Sequence, residues 1–477
     1  MAIWRIRWHF AGIAVVGLVG ALSVLAATRS WGLGVSYDSV AYVQASRHLS
    51  VDLPQPRDFG GQPLYWWGPI YPLLLRVAGS SYASARLLNA GLLLVGAAVV
   101  GVVARRAMSD RAGVVAAAAY AFSPVVFAAH LDLLAEPLFL VFATVALGLI
   151  AASRPTLAGV ATGAALLTRY AGLPLLLVGV LAFRGRDRVR FGLTSAGIYG
   201  AWLLRNELAA GQATGRELRW HPVSWQTLSD AVASVAHVIV TPGRLPSLST
   251  HSVDPGHALQ LLVVGALALA LARVGVSGVP RIVTVSLSYG VVYLAFLVVT
   301  VSLFDAGTPI NDRLLVPLAP AVAFAFAWVT SRTPLLAVIV ICCFAVATAQ
   351  QVRTVSLYGL DYSGRIWEPA RLDGLRLPHN VLYSNWPAAV AYFSGRSPRR
   401  IPAQRDPHTL DVNEAFDGQV QQVIAAVRAG TAAVIVLDDP KFLQTPRLDL
   451  GTRRVLAGLR GRCQRPREVV ILCERAG

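Results

Sequence analysis

Acidic residues and lysine are scarce in this chain. Of its 477 residues only 25 are aspartate or glutamate, and Lys441 is the sole lysine, so that 41 of the 42 basic residues are arginine. A single lysine in the context DDPK excludes a Walker A phosphate loop, which needs GK[ST]. Four cysteines in a chain of this length exclude a disulfide scaffold. Charged residues make up 14% of the sequence, against about 25% in soluble proteins. A disordered chain and an ordinary cytosolic enzyme are therefore excluded.

Apolar residues are abundant instead. They make up 55% of the chain, and the mean hydropathy is +0.57. Because about 20 helical residues cross the hydrocarbon core of a bilayer, long apolar runs predict membrane spans. We predict a mainly α-helical, polytopic transmembrane bundle of about eleven spans over residues 1–351. The predicted spans are 10–28, 84–104, 112–131, 135–152, 156–170, 172–184, 191–208, 258–273, 282–303, 313–331 and 334–351.

The distribution of arginine predicts how the bundle is oriented. If the N-terminus is cytoplasmic, the loops on that side carry thirteen arginines, opposed only by Asp110 and Asp187. The arginines are Arg5, Arg7, Arg105, Arg106, Arg111, Arg154, Arg184, Arg186, Arg188, Arg190, Arg273, Arg281 and Arg332. Positive charge concentrates on cytoplasmic loops of membrane proteins. The formal charge of +17 is thus explained without nucleic acid, and we expect none as a partner.

Residues 352–477 differ in character from the rest of the chain. They contain no spanning run, and short apolar segments at 380–385, 432–439 and 468–475 predict strands. Segments 386–395 and 411–430 predict helices that end at glycine. Strands alternating with helices indicate a small α/β domain. An odd number of spans places this domain outside the cytoplasm, where Cys463 and Cys473 are able to pair.

The first predicted outer loop, 29–83, contains two segments of interest. Asp38 begins an amphipathic segment, where it fits a helix N-cap and also a rigidly held base at the membrane surface, two roles that do not exclude each other. Tyr65, Trp66 and Trp67 precede an apolar run. They fit either an interfacial aromatic belt or a stacking surface for a sugar ring or a lipid head group.

Several charged residues lie unusually deep in apolar sequence. His130, Asp132 and Glu136 fall between two hydrophobic helices, where acids are retained mainly when they pair or face a cavity. Arg169 has apolar residues on both sides. Arg313 stands at the mouth of a predicted span, where it either extends to the interface or binds an anion. A guanidinium facing a cavity offers a bidentate fork for phosphate.

Seven segments together resemble the GT-C superfamily of membrane glycosyltransferases. The nearest likeness is to bacterial relatives of dolichyl-phosphate-mannose protein mannosyltransferase and of the aminoarabinose transferase that modifies lipid A. The segments are YDSVAYVQASRHL, GPIYPLLLRVAG, SARLLNAGLLL, AEPLFLVF, LLTRYAGL, DRLLVPLAPA and VLYSNWPAAVAYFSGR. The resemblance covers most of the chain and implies a GT-C-like bundle.

The resemblance also implies an activity and its residues. Such enzymes transfer a sugar from a polyprenyl-phosphate carrier to an acceptor at the outer face of the membrane. An acid of the first outer loop acts as the catalytic base, and Asp38 occupies that place. A second acid precedes the fourth helix, where Glu136, or otherwise Asp132, matches it. Basic residues contact the carrier phosphate, and Arg313 and Arg169 match these.

Further expectations concern substrates, metals and location. The predicted substrate-binding side chains are Tyr65, Trp66, Trp67, His130 and Tyr170. Ser39 follows Asp38 where the family often has a second acid, so a divalent metal is left without support. Four histidines of the predicted long outer loop 208–257 match no standard zinc spacing. We expect a multi-pass protein of the plasma membrane acting on a glycan, lipid or protein acceptor.

Two other functions fit the same composition. A lipid or sugar transporter or flippase also has many spans and intramembrane charges, but it usually shows inverted repeats and broken helices at matching positions. No such pairing is found in this sequence. A non-catalytic protein of GT-C-like fold is the other alternative, because only one acid stands at the position of the catalytic base.

Overall fold

The computed structural model describes residues 2–48, 67–214, 218, 220–221, 278–304, 310–330, 333–378, 381–405, 411–438 and 448–474. The predicted span 258–273 and most of the predicted loop 208–257 lie outside these residues. Tyr65 and Trp66 also lie outside them.

Fourteen α-helices occupy the described residues from Ala2 to Tyr358. They are α1 (Ala2–Ala27), α2 (Tyr37–His48), α3 (Ile70–Val77), α4 (Tyr82–Ala107), α5 (Asp110–Ala121), α6 (Pro124–Leu131), α7 (Glu136–Ala151), α8 (Pro155–Thr168), α9 (Leu173–Ala182), α10 (Gly185–Ala210), α11 (Arg281–Leu303), α12 (Asp312–Leu315), α13 (Ala319–Thr330) and α14 (Pro334–Tyr358). Proline lies in the first turn of α6, α7, α8, α9 and α14. There its missing N–H removes no helical hydrogen bond, so the sequence defines these starts well.

Five helical segments of the described chain are long and apolar enough to cross a membrane. They are Phe10–Ala27, Tyr82–Ala107, Arg281–Leu303, Asp312–Thr330 and Pro334–Tyr358. Helices α5 and α6 meet at 53° and make a sixth if the bent pair is one span. Helices α7, α8 and α9 are apolar but shorter. The chain is therefore a multi-pass membrane protein, while the count of about eleven spans remains a prediction.

Small side chains fill the interfaces between the membrane helices. Helix α4 packs against α1, α5 and α7. Ala97 and Ala104 of α4 and Ala112 and Ala116 of α5 are completely buried. Because lipid tails are as apolar as the helices, close backbone approach at small residues is a main source of helix association.

The middle of helix α2 is buried. Every residue from Ser39 to Ser46 is buried. Tyr42 packs with Tyr71 of α3, whereas Val40 packs in one cluster with Trp367 of the C-terminal region. The segment that carries Asp38 is thus enclosed between the membrane helices and the C-terminal region.

The C-terminal region forms a five-stranded sheet with three α-helices. Its elements are β1 (Val381–Ser384), α15 (Pro387–Ser394), β2 (Arg399–Arg400), α16 (Phe416–Arg428), β3 (Ala432–Leu437), α17 (Leu450–Gly458), β4 (Cys463–Arg467) and β5 (Val470–Cys473). The strand order is β2-β1-β3-β5-β4. Strand β1 runs parallel to β2 and β3, and β5 runs antiparallel to β3 and β4. All six residues of β3 are buried, as its continuous apolar run predicts for a central strand.

The predicted elements of this region are largely confirmed. The three predicted strands correspond to β1, β3 and β5, and the two predicted helices correspond to α15 and α16. Gly395 ends α15 with φ of 68°, the left-handed conformation that glycine favours. Strand β4 was not predicted, because its polar sequence CQRPR forms an exposed edge.

Two further expectations bear on the same region. Cys463 and Cys473 face each other across β4 and β5 and form a disulfide, a pairing that the sequence left open. Helix α14 continues to Tyr358, past the predicted boundary at residue 351. The division into a bundle of residues 1–351 and a domain of residues 352–477 remains a prediction.

Candidate active site

Two acids and two arginines from four separate segments form one ion-pair network. The Nη2 group of Arg313 donates to Oδ2 of Asp38, and its Nε donates to Oε1 of Glu136 at 2.7 Å. The Nη1 group of Arg169 lies 2.7 Å from the same Oε1 atom. The sequence predicted all four residues as site candidates, and the structure brings them together.

The network runs from the buried interior to a solvent-accessible surface. The side chain of Glu136 is 1% exposed and that of Arg169 is 13% exposed. Asp38 is 24% exposed and Arg313 is 35% exposed. Glu136 therefore forms the buried end of the network, and the contact between Asp38 and Arg313 is the more exposed part.

The local structure explains where Asp38 points. The start of α2 is stabilised by Ser36, whose backbone N–H donates to Oγ of Ser39 at 2.9 Å. Asp38 lies in the first turn rather than at the cap position. Its carboxylate instead reaches Arg313. Asp38 is therefore not the N-cap of α2, and its role as a base remains a prediction.

Glu136 is positioned by the turn between α6 and α7. It is the first residue of α7, where a negative charge complements the helix dipole. The side-chain amide of Asn89 in α4 donates to the backbone O of Asp132 at 2.6 Å and to that of His130 at 3.2 Å. Asn89 is completely buried, so it fixes this turn from within the bundle.

The two arginines lie at ends of short helical segments. Arg169 directly follows α8 in an extended conformation. Arg313 lies in α12, where the side chain of Asn311 accepts from the N–H of Leu314. The hydroxyl of Tyr293 in α11 donates to the carbonyl of Leu314 at 2.6 Å and anchors α12 to the bundle. Arg313 binds two acids, so it does not simply extend to the membrane interface.

Asp132 lies beside the network, against the segment that leads into α2. Gly34 and Asp132 form a β-bridge, and a Cβ atom on Gly34 would lie 1.9 Å from Oδ1 of Asp132. Only glycine allows this approach. Burial raises the pKa of the Asp132 carboxyl well above its usual range, and the nearby Asp361 carboxylate raises it further, against the opposing effect of Arg313.

Asp361 is a residue of this region that is not among the predicted site residues. It follows α14, forms a β-bridge with Val35, and has a left-handed φ of 46°. The N–H of Tyr362 donates to the carbonyl of Val35 at 3.0 Å. The Asp361 side chain reaches solvent, yet the surrounding protein raises the pKa of its carboxyl, opposed by the charge of Arg313. An acid just after the last apolar run, in the sequence GLDYSG, was the available signal.

Of the predicted aromatic surface, Trp67 is described and lies near the site. Its ring is 5.9 Å from that of Tyr42 and 6.4 Å from that of Tyr37. A Cβ atom on Gly68 would lie 1.9 Å from the carbonyl O of Leu167, so this glycine brings the loop onto the end of α8, two residues before Arg169. Trp67 thus lies at the rim of the region that carries Asp38 and Arg169.

The other predicted substrate-binding residues are placed differently. His130 is completely buried, and its Nδ1 lies 2.7 Å from the carbonyl O of Val126 within α6. No hydrogen bond joins its ring to the ion-pair network among the described residues. The ring of Tyr170, next to Arg169, lies 6.2 Å from that of Phe296. Substrate contact by these two residues remains a prediction.

The arrangement contains a carboxylate and a guanidinium, which suit the transfer of a group away from an anionic leaving group. Asp38 offers a carboxylate at a solvent-accessible surface, and Arg313 offers a guanidinium beside it. Within the described parts of the chain, no group of three His, Cys, Asp or Glu side chains is placed to hold a metal ion. The available chemistry from these residues is proton acceptance and stabilisation of negative charge.

Comparison with known proteins identifies the fold. No family model and no curated protein matches the sequence. ArnT from Cupriavidus metallidurans, solved bound to undecaprenyl phosphate, matches with a TM-score of 0.62 and 14% identity over 99% of this chain and 98% of its own. The oligosaccharyltransferase of Archaeoglobus fulgidus matches with a TM-score of 0.56 and 13% identity over 92% of this chain and 70% of its own.

A third solved structure extends the comparison to a larger protein. Mycobacterial arabinofuranosyltransferase AftD matches with a TM-score of 0.56 and 18% identity over 99% of this chain. The match covers 40% of AftD, so this chain spans less than half of that protein. The chain has the GT-C fold that these three glycosyltransferases share, which confirms the fold implied by the resemblance.

Proposed function

We propose that this chain is a membrane glycosyltransferase that transfers a sugar from a polyprenyl-phosphate-linked donor to a hydroxyl group of an acceptor. The observation that carries the proposal is the contact of Asp38 with Arg313, in a network with Glu136 and Arg169. The GT-C fold supports it, because ArnT has the same fold and was solved bound to undecaprenyl phosphate.

The arginines act on the leaving group. Sugar transfer passes through an oxocarbenium-like state in which the bond between the anomeric carbon and the phosphate oxygen breaks. The electron pair of that bond remains on the polyprenyl phosphate, whose negative charge increases. Arg313 and Arg169 stabilise this charge in a partly dehydrated site, where such interactions are strong. Because phosphate leaves readily, no acid is needed to protonate it.

Asp38 acts as the general base on the acceptor. It takes the proton of the acceptor hydroxyl while that oxygen forms the new bond to the anomeric carbon. Attack from the face opposite the phosphate inverts the anomeric configuration. Glu136 holds both arginines in place, and Asp132 and Trp67 belong to the surroundings that receive the substrates.

The site is proposed to face the outer side of the membrane. The N-terminus is then cytoplasmic, and the C-terminal region lies outside the cell above the first outer segment. The long apolar tail of the donor partitions into lipid, which accounts for a site at the membrane surface. The acceptor is a glycan, a lipid or a protein.

Replacement of the proposed base tests this function. Mass spectrometry of membrane glycans and proteins, with and without this protein, identifies the product. Transfer from a labelled polyprenyl-phosphate sugar is then measured for Asp38→Asn and for Asp312→Asn, which removes a charge beside Arg313. We expect Asp38→Asn to lower the rate by about 10²–10⁴-fold, the usual contribution of a general base, with little effect of Asp312→Asn.

The outcome separates the proposal from its alternatives. Near-normal turnover of Asp38→Asn would remove Asp38 from the mechanism. Absence of any altered glycan or protein, together with movement of an intact lipid or sugar across the membrane, would instead indicate a transporter.

A further inference from the structure

We infer that the donor phosphate binds by displacing Asp38 from Arg313, so that donor binding makes the base available to the acceptor. The inference rests on the proposed function and adds an order of steps to the reaction. The donor has to bind before the acceptor is deprotonated.

The hydrogen-bonding edge of Arg313 carries the inference. A guanidinium binds a carboxylate or phosphate most strongly through two parallel N–H groups. On Arg313 the edge formed by Nε and Nη2 is divided between Oε1 of Glu136 and Oδ2 of Asp38. A phosphate that binds this edge therefore has to replace at least one of the two carboxylates.

The burial of the two acids indicates which one is replaced. Glu136 is 1% exposed and also binds Arg169 through the same oxygen. If Arg313 left it, this buried charge would be held by Arg169 alone, and loss of a partner from a buried ion pair is unfavourable. Asp38 is 24% exposed, so water solvates its carboxylate when it leaves Arg313. Asp38 is therefore the acid that yields, while Glu136 keeps both arginines in place.

The exchange connects the two halves of the reaction. When Arg313 turns to the phosphate, Oδ2 of Asp38 loses its donor and is free to accept the proton of an acceptor hydroxyl. While Arg313 holds Asp38, Oδ2 accepts from Nη2 and the carboxylate is engaged with the guanidinium. The same arginine thus binds the leaving group and controls the base, and an acceptor that arrives first meets a base that is already paired.

Binding of undecaprenyl phosphate to the full chain in lipid nanodiscs tests the exchange. We expect Asp38→Asn, which is isosteric but uncharged, to bind this probe about tenfold more tightly than the original chain, because the competing carboxylate is gone. Asp312→Asn removes a charge next to Arg313 in sequence but neither of the two carboxylates that bind its Nε and Nη2 groups, and we expect an affinity within about twofold of the original. Undecaprenol, which lacks the phosphate, should show no difference among the three proteins.

Each result decides the inference. The inference is overturned if Asp38→Asn binds undecaprenyl phosphate no more tightly than the original chain does and Asp38→Ala, which removes the side chain, gives the same result. An equal gain in Asp38→Asn and Asp312→Asn also overturns it, because general loss of negative charge would then be the cause. If the original chain fails to bind undecaprenyl phosphate more tightly than undecaprenol, the lipid-phosphate donor of the proposed function fails as well.

Discussion

Glu136 shows how a carboxylate is tolerated at the border of a membrane helix. A charge at this depth is expensive unless it is paired. One oxygen of Glu136 binds both Arg313 and Arg169, at 2.7 Å each. Removing one partner of a buried pair typically costs about 3–5 kcal/mol, because the other charge is left uncompensated. Glu136 therefore supports the stability of the bundle as well as the geometry of the site.

Asp132 gives a pH-dependent prediction at the scale of one residue. Burial and Asp361 raise its pKa in the folded protein, so the folded state binds more protons than the unfolded state above about pH 3.9, the ordinary value for aspartate. The free energy of unfolding then decreases as pH rises from that value through the raised pKa. We expect Asp132→Asn to have a higher Tm than the original chain at pH 7 to 8, with the difference shrinking towards pH 4.

A thermal unfolding series in detergent from pH 4 to pH 8 measures this difference. Asp373→Asn, which changes an exposed acid of the C-terminal region, is the matched control and should follow the original chain at every pH. A Tm difference for Asp132→Asn that stays constant with pH would contradict the assignment.

The charged residues of the site were recognisable in the sequence for a local reason. Glu136, Arg169 and Arg313 interrupt or border apolar runs, and such interruptions are visible without knowledge of the fold. Asp361 gave a weaker signal. It lies in a polar stretch. It comes close to Asp132 only because the chain after α14 pairs with Val35, next to the residue that pairs with Asp132.

At the scale of elements, the turn between α6 and α7 depends on a helix distant in sequence. Asn89 of α4 holds the carbonyl groups of His130 and Asp132, and this turn begins the helix that carries Glu136. We expect Asn89→Leu to lower the free energy of unfolding by about 1–3 kcal/mol, because buried carbonyls lose their donor. We also expect it to slow transfer by displacing Glu136 and both arginines.

Thr144→Val is the matched control for this prediction. The Thr144 hydroxyl donates to the carbonyl of Leu140 within α7, so this change removes a buried hydrogen bond of the same helix without touching the turn. Unfolding and transfer rate are measured for both variants. An Asn89→Leu protein that is destabilised but transfers at the original rate would remove Asn89 from the positioning of the site.

The burial of helix α2 could not be predicted from its sequence. Its sequence predicts an amphipathic segment in an outer loop, yet Ser39 to Ser46 are all buried. The reason is tertiary, because the helix packs on α3 with one side and on the C-terminal region with another. Both burials occur only in the complete fold.

For the whole molecule, the sidedness of the C-terminal region is the prediction to test. The arginine distribution predicts that this region lies outside the cell, and the disulfide between Cys463 and Cys473 agrees with an oxidising compartment. We expect a glycosylation or thiol-labelling reporter fused after residue 477 to react from the external side. The same reporter placed before the first span is the control and should react only from the cytoplasm.

Labelling of the C-terminal reporter from the cytoplasm would contradict both the odd number of spans and the external position of the site. The proposed reaction would then have no access to an acceptor outside the cell, even if Asp38 and Arg313 remained in contact.

The membrane class, most helix positions and the strands β1, β3 and β5 follow from runs of adjacent residues. Hydrophobic length and period are local properties, so a linear reading is sufficient for them. The contacts of the site are not local. Arg313 binds Asp38 across 275 residues and Glu136 across 177 residues. These pairs depend on how four helical segments pack against each other. That packing is determined by interactions over the whole chain, so no single stretch of sequence predicts it.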